Sequence, residues 1–164
     1  MKKSILVFGL SLALLVFPGS DVLSQQQQMP KQGTASYVTY YTGRSFTSLD
    51  MGEVGSEALG EIVGITRNTD GQKFFDNMTV RCILNSQNLG GKRKANGACA
   101  ETDSDGDKVF TTFDSGTMMH TLIGGTGKYK GISGTAPYTS KVLPPPGEGL
   151  SASIVDHKVT WEIK

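Results

Sequence analysis

The chain has 164 residues, of which 37 % are hydrophobic and 19 % are charged, a balance typical of one folded domain rather than a disordered chain. Lys and Arg number 16 against 15 Asp and Glu, so net charge does not direct the protein to nucleic acid or to an anionic membrane. The 21 glycines exceed the ordinary share of ~7 %, and with only 6 prolines and no three-residue period they exclude collagen and indicate many turns between short strands.

The N-terminal segment has the pattern of a secretory signal peptide. Lys2 and Lys3 precede the apolar run 5–17, Pro18 interrupts it, and small side chains follow at the positions that a signal peptidase recognises. The run is too short for a membrane span, although an uncleaved anchor is the alternative. We therefore expect residues 1–24 to be removed and the protein to be exported, periplasmic or secreted, without membrane contact after cleavage.

The rest of the chain is predicted to be a short leader followed by strands. Residues 25–34 are glutamine-rich and of low complexity, which predicts a disordered polar leader before a folded domain at 35–164. Alternating or β-branched runs predict the strands, whereas the Gly-, Lys- and Asn-rich segment 88–98 is expected to be a connection. The predicted strands are 36–42, 58–67, 77–84, 107–113, 116–123, 135–142 and 153–163.

The number and spacing of the strands predict an all-β fold. About eight short strands in one domain form either a sandwich or a barrel, and we favour a single eight-stranded antiparallel β-barrel. The last strand has the clearest alternation: Val155, His157, Val159 and Trp161 share one face, and a polar or charged residue follows each of them. We expect this apolar face to point into the barrel.

Two cysteines, Cys82 and Cys99, are the only ones in the chain. An even number in an oxidising compartment favours a disulfide, which would stabilise the domain by roughly 3 kcal/mol in the chain-entropy model. The alternative is a pair of buried free thiols. Two cysteines without neighbouring histidines make a poor zinc site, and we expect neither a metal nor a cofactor.

Two charged segments have competing interpretations. Asp103, Asp105 and Asp107 alternate as in a calcium loop, but Gly106 does not stand where an EF-hand requires its glycine. Asp105-Gly106 between two extended runs predicts a hairpin turn instead, and cation binding is left open. The basic cluster 92–94 lacks interleaved aromatic residues, which favours a solvated loop over a nucleic-acid site.

A glycine-rich segment, GGTGKYKGISG, follows the predicted strand 116–123. It matches neither a phosphate-binding loop nor a dinucleotide fingerprint, because Leu122, Tyr129 and Lys130 occupy positions where those motifs require other residues. We expect a tight corner in which glycines adopt positive φ. The glycines of this corner are Gly124, Gly125, Gly127, Gly131 and Gly134.

This segment, together with the DSDGDKVF hairpin before it, resembles the allene oxide cyclase and dirigent-type barrels. The match is best from residue 110 to residue 138. The resemblance implies a small exported bacterial relative with a calycin-like, eight-stranded antiparallel barrel and an apolar cavity. Plant members of the family cyclise or steer a reactive lipid- or phenol-derived intermediate without a cofactor. Their catalytic residues lie outside the matched stretch, so no catalytic residue is assigned here.

Four side chains are candidates for the wall of a ligand cavity: Glu61, His120, His157 and Trp161. His120 and His157 have apolar neighbours on their strand faces, and each is either a ligand contact or a core histidine with its own partner. Glu61 lies among apolar residues, so its pKa would be raised if it were buried; the alternative is a carboxylate that reaches solvent. Trp161 either fills the core or forms part of a cavity wall.

Three functions are compatible with these residues. We expect an exported barrel that binds a small apolar ligand in its cavity. The alternatives are a cofactor-free cyclase or isomerase of the allene oxide cyclase type and a packed structural barrel without a ligand. No nucleic-acid partner is expected, and oligomerisation is left open. Cavity size distinguishes the packed barrel from the other two, and an inward pair of ionisable residues would favour the cyclase.

Overall fold

A computed structural model describes residues 29–164, which form one closed barrel of eight antiparallel strands. Each strand pairs with the next along the chain, and the first pairs with the last, so the predicted all-β barrel is confirmed. The predicted signal peptide and residues 25–28 lie outside the described residues. The strands are β1 (Gln32–Asp50), β2 (Gly55–Asn68), β3 (Thr79–Leu89), β4 (Lys92–Thr102), β5 (Lys108–Asp114), β6 (Met119–Gly125), β7 (Ile132–Leu143) and β8 (Leu150–Ile163).

Helical structure in the described part of the chain is limited to two short 3-10 turns, Gly52–Val54 and Gly127–Tyr129. Accordingly, none of the helices within residues 29–164 has the length and hydropathy needed to cross a membrane.

Several boundaries differ from the sequence prediction, and two of the differences turn a predicted connection and part of the predicted leader into strand. Segment 88–98 is not a connection, because Gly90 and Gly91 adopt positive φ and make a two-residue turn that leads directly into β4. Its polar residues suit a strand that is exposed to water for its first half. The leader is also shorter than expected at its C-terminal end, since β1 begins at Gln32 and Met29 is only 5 % exposed.

The outer face of β2 carries apolar residues that the sequence pattern would place inside. Leu59 and Val63 are 48 % and 43 % exposed, while Gly60 and Gly64 occupy the inner face. A Cβ on Gly64 would lie only 2.8 Å from the Tyr41 ring, so the large aromatic side chain of β1 leaves no room for another inside. The sequence therefore predicts the alternation of β2 correctly, but its apolar face points to solvent instead of into the barrel.

One end of the barrel, the packed end, is filled with large side chains. Trp161 lies 5.5 Å from Phe75 between ring centroids, and its indole N–H donates a hydrogen bond of 3.1 Å to the carbonyl oxygen of Pro30. Phe75 and Met78 come from the segment between β2 and β3 and are fully buried against Trp161. We call the cluster of these three side chains the tryptophan layer. The predicted inward orientation of Trp161 is therefore confirmed.

The segment that closes the packed end is organised by Asn68. Its Oδ1 accepts hydrogen bonds from the backbone N–H groups of Asp70 and Gln72, and its Nδ2 donates to the carbonyl oxygen of Phe74. These bonds hold the loop across the end of the barrel, so that Phe75 reaches the core.

The Asp-rich turn, residues 103–107, and the Gly-rich corner, residues 124–134, meet at the packed end, where Lys128 of the corner binds the aspartates of the turn. Its Nζ lies 2.7 Å from Asp103 Oδ2 and 2.6 Å from Asp105 Oδ2, and its backbone N–H donates to Asp107. The Asp segment is a hairpin turn, as predicted, with its carboxylates satisfied by a lysine and by backbone N–H groups. The corner glycines with positive φ are Gly124, Gly127, Gly131 and Gly134.

A disulfide joins β3 to β4 inside the barrel. Cys82 and Cys99 are directly opposite each other in the two strands, and their sulfur atoms are 2.10 Å apart. Both side chains are buried with Val155 and Tyr41 in a second, smaller apolar cluster. The predicted pairing is therefore present, and it lies in the half of the barrel opposite to Trp161.

Strands β1 to β4 continue past the barrel wall as a four-stranded extension. The pairing of β1 with β8 ends at Arg44, and residues 45–50 pair with β2 alone. On the far side, the pairing of β4 with β5 begins only at Asn96. The extension stands beside the end of the barrel that faces away from Trp161, which we call the open end.

Candidate functional site

A cavity of about 190 Å³ opens into the barrel at the open end. Its polar wall is formed by His120, Tyr138 and three serines. The rest of the wall is apolar and consists mainly of Tyr41, Ile62, Leu84, Phe113, Met118 and Val155.

The cavity exists because the inner faces of the strands carry small residues at this end. Gly60 faces inward on β2, and Gly97 and Ala95 face inward on β4. A Cβ on Gly97 would lie 2.8 Å from the Phe113 ring, so the ring packs directly on the backbone. Large side chains are therefore kept to the wall, and the centre stays open.

His120, on β6, is the predicted candidate that lines this cavity. Its ring stacks on Phe113 with 5.4 Å between centroids and meets the edge of Tyr138 at 5.1 Å. The Thr111 hydroxyl lies 3.4 Å from Nδ1 and orients the ring. Burial lowers the pKa of His120 to about 4, so the imidazole is neutral at neutral pH and offers one donor and one acceptor.

His157, on β8, lies behind His120. The two ring centroids are 5.0 Å apart, and the His157 ring also stacks on Tyr37 at 4.5 Å. Both ring nitrogens are buried without a hydrogen-bond partner, an arrangement that is rare in folded proteins. Burial, with a smaller contribution from His120, lowers its pKa well below the ordinary value. His157 therefore belongs to the layer beneath the cavity.

Glu101, on β4, is a buried acid that sequence reasoning missed. It is 2 % exposed, its Oε2 has no hydrogen-bond partner, and burial raises its pKa to about 7. The pKa values of Tyr37 and Tyr41 are raised by burial and, to a smaller extent, by the Glu101 charge. The alternation of Cys99 with Glu101 is a signal for it, but the polar first half of β4 conceals the strand in the sequence.

Glu61 points to the outer face of the barrel and is not a cavity residue, but the side chains of Arg44 and Arg81 cover it, so that it is only 8 % exposed. Its Oε1 is 2.8 Å from Arg44 Nη2, and its Oε2 is 3.0 Å from Arg81 Nε. Hydrogen bonds from Arg44, and then from Arg81, lower the pKa of this carboxyl, the opposite of the rise that burial would cause. The correction follows from β2, whose apolar face points outward.

Trp161 is inside the barrel but belongs to the packed end, so it does not border the cavity either. Of the four candidates, His120 lines the cavity, His157 lies directly beneath it, Trp161 fills the opposite end and Glu61 is outside. The structure therefore brings together the two histidines and separates them from the other two candidates.

The arrangement is suited to hydrogen bonding inside an apolar enclosure. No Lys or Arg is among the cavity-lining residues of the described chain, so the site offers no counter-charge to an anion. Within residues 29–164, no group of three or more His, Cys, Asp or Glu side chains is arranged to hold a metal ion. The neutral imidazole of His120 is an acid–base group on the cavity wall, whereas His157 and the Glu101 carboxyl are buried elsewhere in the barrel and do not line the cavity.

Comparison with known proteins finds similarity only in solved structures. No protein-family model matches the chain, and no curated protein sequence matches it. The pterocarpan synthase dirigent protein GePTS1 is 12 % identical with a TM-score of 0.42, over 84 % of this chain and 90 % of that one. The pterocarpan synthase dirigent protein PsPTS1 is 12 % identical with a TM-score of 0.43, over 83 % of this chain and 99 % of that one.

Proposed function

We propose that this protein is an exported barrel that binds one small, uncharged, mainly apolar molecule in its open-end cavity. The observation that carries the proposal is the cavity itself, about 190 Å³ lined mainly by apolar and aromatic side chains and open to water at one end, with the neutral His120 on its wall. A buried apolar cavity of about 150 Å³ is known to hold benzene. A ligand with one ring and one small polar substituent therefore fits the enclosed space.

The electrostatics of the wall select against charged ligands. A carboxylate in the cavity would be desolvated and would find no cationic side chain among the lining residues of the described chain. A hydroxyl or carbonyl group, by contrast, finds the neutral imidazole of His120 and the hydroxyl of Tyr138. The favoured ligand is therefore uncharged, with a single hydrogen-bonding group beside its ring.

Export is supported by two independent features. The N-terminal sequence has the basic, apolar and small-residue pattern of a secretory signal. The Cys82–Cys99 disulfide is the kind of bond that persists in oxidising compartments and is rare in the cytosol. A ligand taken up outside the cytoplasm would reach the cavity through the open end of the barrel.

A titration with three matched probes tests the proposal. Toluene, benzyl alcohol and benzoate share a ring but differ in polarity and charge, and the NMR shifts of the His120 ring report occupancy of the cavity. We expect benzyl alcohol to bind about tenfold more tightly than toluene, through one hydrogen bond, and benzoate to bind most weakly. If none of the three shifts the His120 resonances, the proposal is wrong.

Two variants of β8 locate the binding. Ser153→Phe places a ring in the cavity and should abolish probe binding, because Ser153 lines the wall. Thr160→Phe adds the same side chain on the exposed outer face of the same strand and should leave binding unchanged. Equal effects of the two variants would place the ligand elsewhere.

A second candidate function, a cofactor-free isomerase or cyclase, is favoured by one observation. Glu101 is a carboxyl buried in the barrel whose pKa of about 7 keeps a proton available at neutral pH. Mass spectrometry identifies a molecule that co-purifies with the exported protein, and chromatographic retention or NMR, which distinguishes isomers of equal mass, then separates the two functions. A binding protein returns that molecule unchanged after incubation, whereas an isomerase returns an isomer of equal mass, and Glu101→Gln should stop the conversion.

A further inference from the structure

The four-stranded extension leaves two strand edges that the barrel does not close. On one side, residues 45–50 of β1 pair with β2 but have no strand on their other side, because the pairing with β8 ends at Arg44. No other backbone hydrogen bond in the described chain joins this segment to the β7–β8 connection. On the other side, residues 92–94 of β4 precede the first contact with β5. Unpaired edges present free N–H and C=O groups that other strands can bind.

The two edges differ in how they are protected. The β4 edge consists of Lys92, Arg93 and Lys94, all exposed, and charged residues of this kind prevent edge-to-edge association. The β1 edge has no charge from Ser45 to Leu49, and its large apolar side chains, Phe46 and Leu49, are 53 % and 60 % exposed. Only the β1 edge therefore combines free backbone groups with an apolar surface.

We propose that this β1 edge pairs, antiparallel, with the β1 edge of a second copy of the chain. An antiparallel edge is self-complementary under a two-fold axis, so the same six residues supply donors and acceptors on both sides. The register shift on the β2 side falls between Ser45 and Thr47, and the residues after it, Thr47 to Asp50, pair regularly with β2. This regular part of the strand is available for pairing on its free side.

Side-chain chemistry supports a second copy as the occupant. Phe46 and Leu49 of both copies, with the exposed Leu59 beside Thr47 on β2, would pack together on the outer side of the joined sheet. The single charged residue of each edge is Asp50 at its end, which an antiparallel arrangement keeps away from the Asp50 of the other copy. No like charges meet at the centre of the interface.

The outer surface of the barrel argues against a lipid occupant. The exposed large apolar residues of the barrel wall are concentrated on β1 to β3, whereas the outer face of β8 carries Asp156, Lys158, Thr160 and Glu162. An apolar sector on one side suits a protein contact, since a membrane would require an apolar band around the barrel. The short edge indicates a weak, concentration-dependent dimer rather than an obligate one.

Sedimentation equilibrium tests this proposal with three lysine variants. The wild type should pass from the protomer mass to twice that mass between about 1 µM and about 500 µM, the range expected of a small interface. Phe46→Lys and Leu49→Lys should stay at the protomer mass over this range. Ile123→Lys, a matched control at a 59 % exposed apolar residue of β6, should dimerise as the wild type does.

The outcomes decide between the edge and other surfaces. Thermal unfolding establishes that each variant is folded, and two different edge variants guard against one that fails to fold. A wild type that keeps the protomer mass at every concentration overturns the proposal. So does a dimer that survives both edge substitutions, because the contact must then lie on another face such as the apolar outer surface of β2.

Discussion

The packed end and the open end of the barrel belong to the same eight strands but are held together by different interactions. At the packed end, Trp161, Phe75 and Met78 fill the space between the strands, and the loop organised by Asn68 closes it. At the open end, a disulfide replaces much of this packing, and a cavity of about 190 Å³ remains. The half of the barrel that contains the covalent cross-link is thus also the half that stays hollow.

Between the two ends lies a layer of buried polar groups. Within residues 29–164, Glu101 Oε2 and both ring nitrogens of His157 have no hydrogen-bond partner. Buried polar groups without hydrogen bonds are costly in a low-dielectric interior, so this layer lowers the free energy of unfolding of the barrel. Such costs are tolerated most often beside functional sites, and here the layer lies directly beneath the cavity.

The largest effect is expected at the packed end. Trp161→Ala should lower the free energy of unfolding by about 3–5 kcal/mol, because it empties a fully buried aromatic site. Phe113→Ala, at the cavity wall, should lower it by about half as much, since Phe113 is only partly buried and already borders open space. Denaturant unfolding of both variants measures the difference; equal losses would contradict the division into a packed and an open end.

The strands were more predictable from the sequence than their faces. The alternation in β8 correctly placed His157 and Trp161 inside, and Trp161 fits there because its cross-strand neighbours are Gly33 and Gly134. The same rule failed in β2, where Tyr41 of the adjacent strand occupies the interior and forces Gly64 inward. Alternation determines the period of a strand, but the side chains of neighbouring strands determine which face is buried.

The second effect concerns the cross-link of the open end. Reduction of Cys82–Cys99 should lower the free energy of unfolding by about 3 kcal/mol, the value for a loop of this length in the chain-entropy model. The fold should survive, because the tryptophan layer does not depend on the disulfide. Near-ultraviolet circular dichroism of Trp161 reports the packed end, and loss of its signal on reduction would show that the two ends do not behave separately.

The third effect is a pH dependence that originates in the polar layer. Burial raises the pKa of Glu101 from its ordinary value of 4.5 to about 7, so the unfolded chain releases this proton first as pH rises. The folded state is therefore destabilised progressively between the two values. From pH 5 to pH 7 the wild type should lose about 2 kcal/mol of unfolding free energy relative to Glu101→Gln.

The comparison with Glu101→Gln isolates the carboxyl from the histidines. The lowered pKa of His120 acts in the opposite direction, with stability lost as pH falls from its ordinary value towards about 4, but both proteins contain this residue. Its contribution cancels in the difference between the two unfolding curves. A difference that stays constant with pH would show that Glu101 is not buried in solution.

The two glutamates also show why the candidate site was only half predictable. Glu61 stands among apolar residues in the sequence, whereas Glu101 is followed by Thr102 and Asp103, so the pattern around Glu61 was the more suggestive of burial. The arginines that hold Glu61 on the outer surface are 17 and 20 residues away along the chain, so only strand pairing brings them near. Glu101 was missed because the glycines and lysines before it conceal a strand that is half exposed.

The smallest effect is expected for Glu61→Gln. This substitution leaves two arginines without their carboxylate partner, but their side chains are 62 % and 66 % exposed and water solvates them, so the loss of stability is small. Because Glu61 lies outside the barrel, the affinity for benzyl alcohol should stay within about twofold of the wild-type value.

His120→Leu, in the same titration, should remove the preference for benzyl alcohol over toluene, since it takes away the imidazole on the cavity wall. A loss of binding in Glu61→Gln comparable to that in His120→Leu would mean that β2 presents its other face to the cavity, and the site would then have to be rebuilt around that strand.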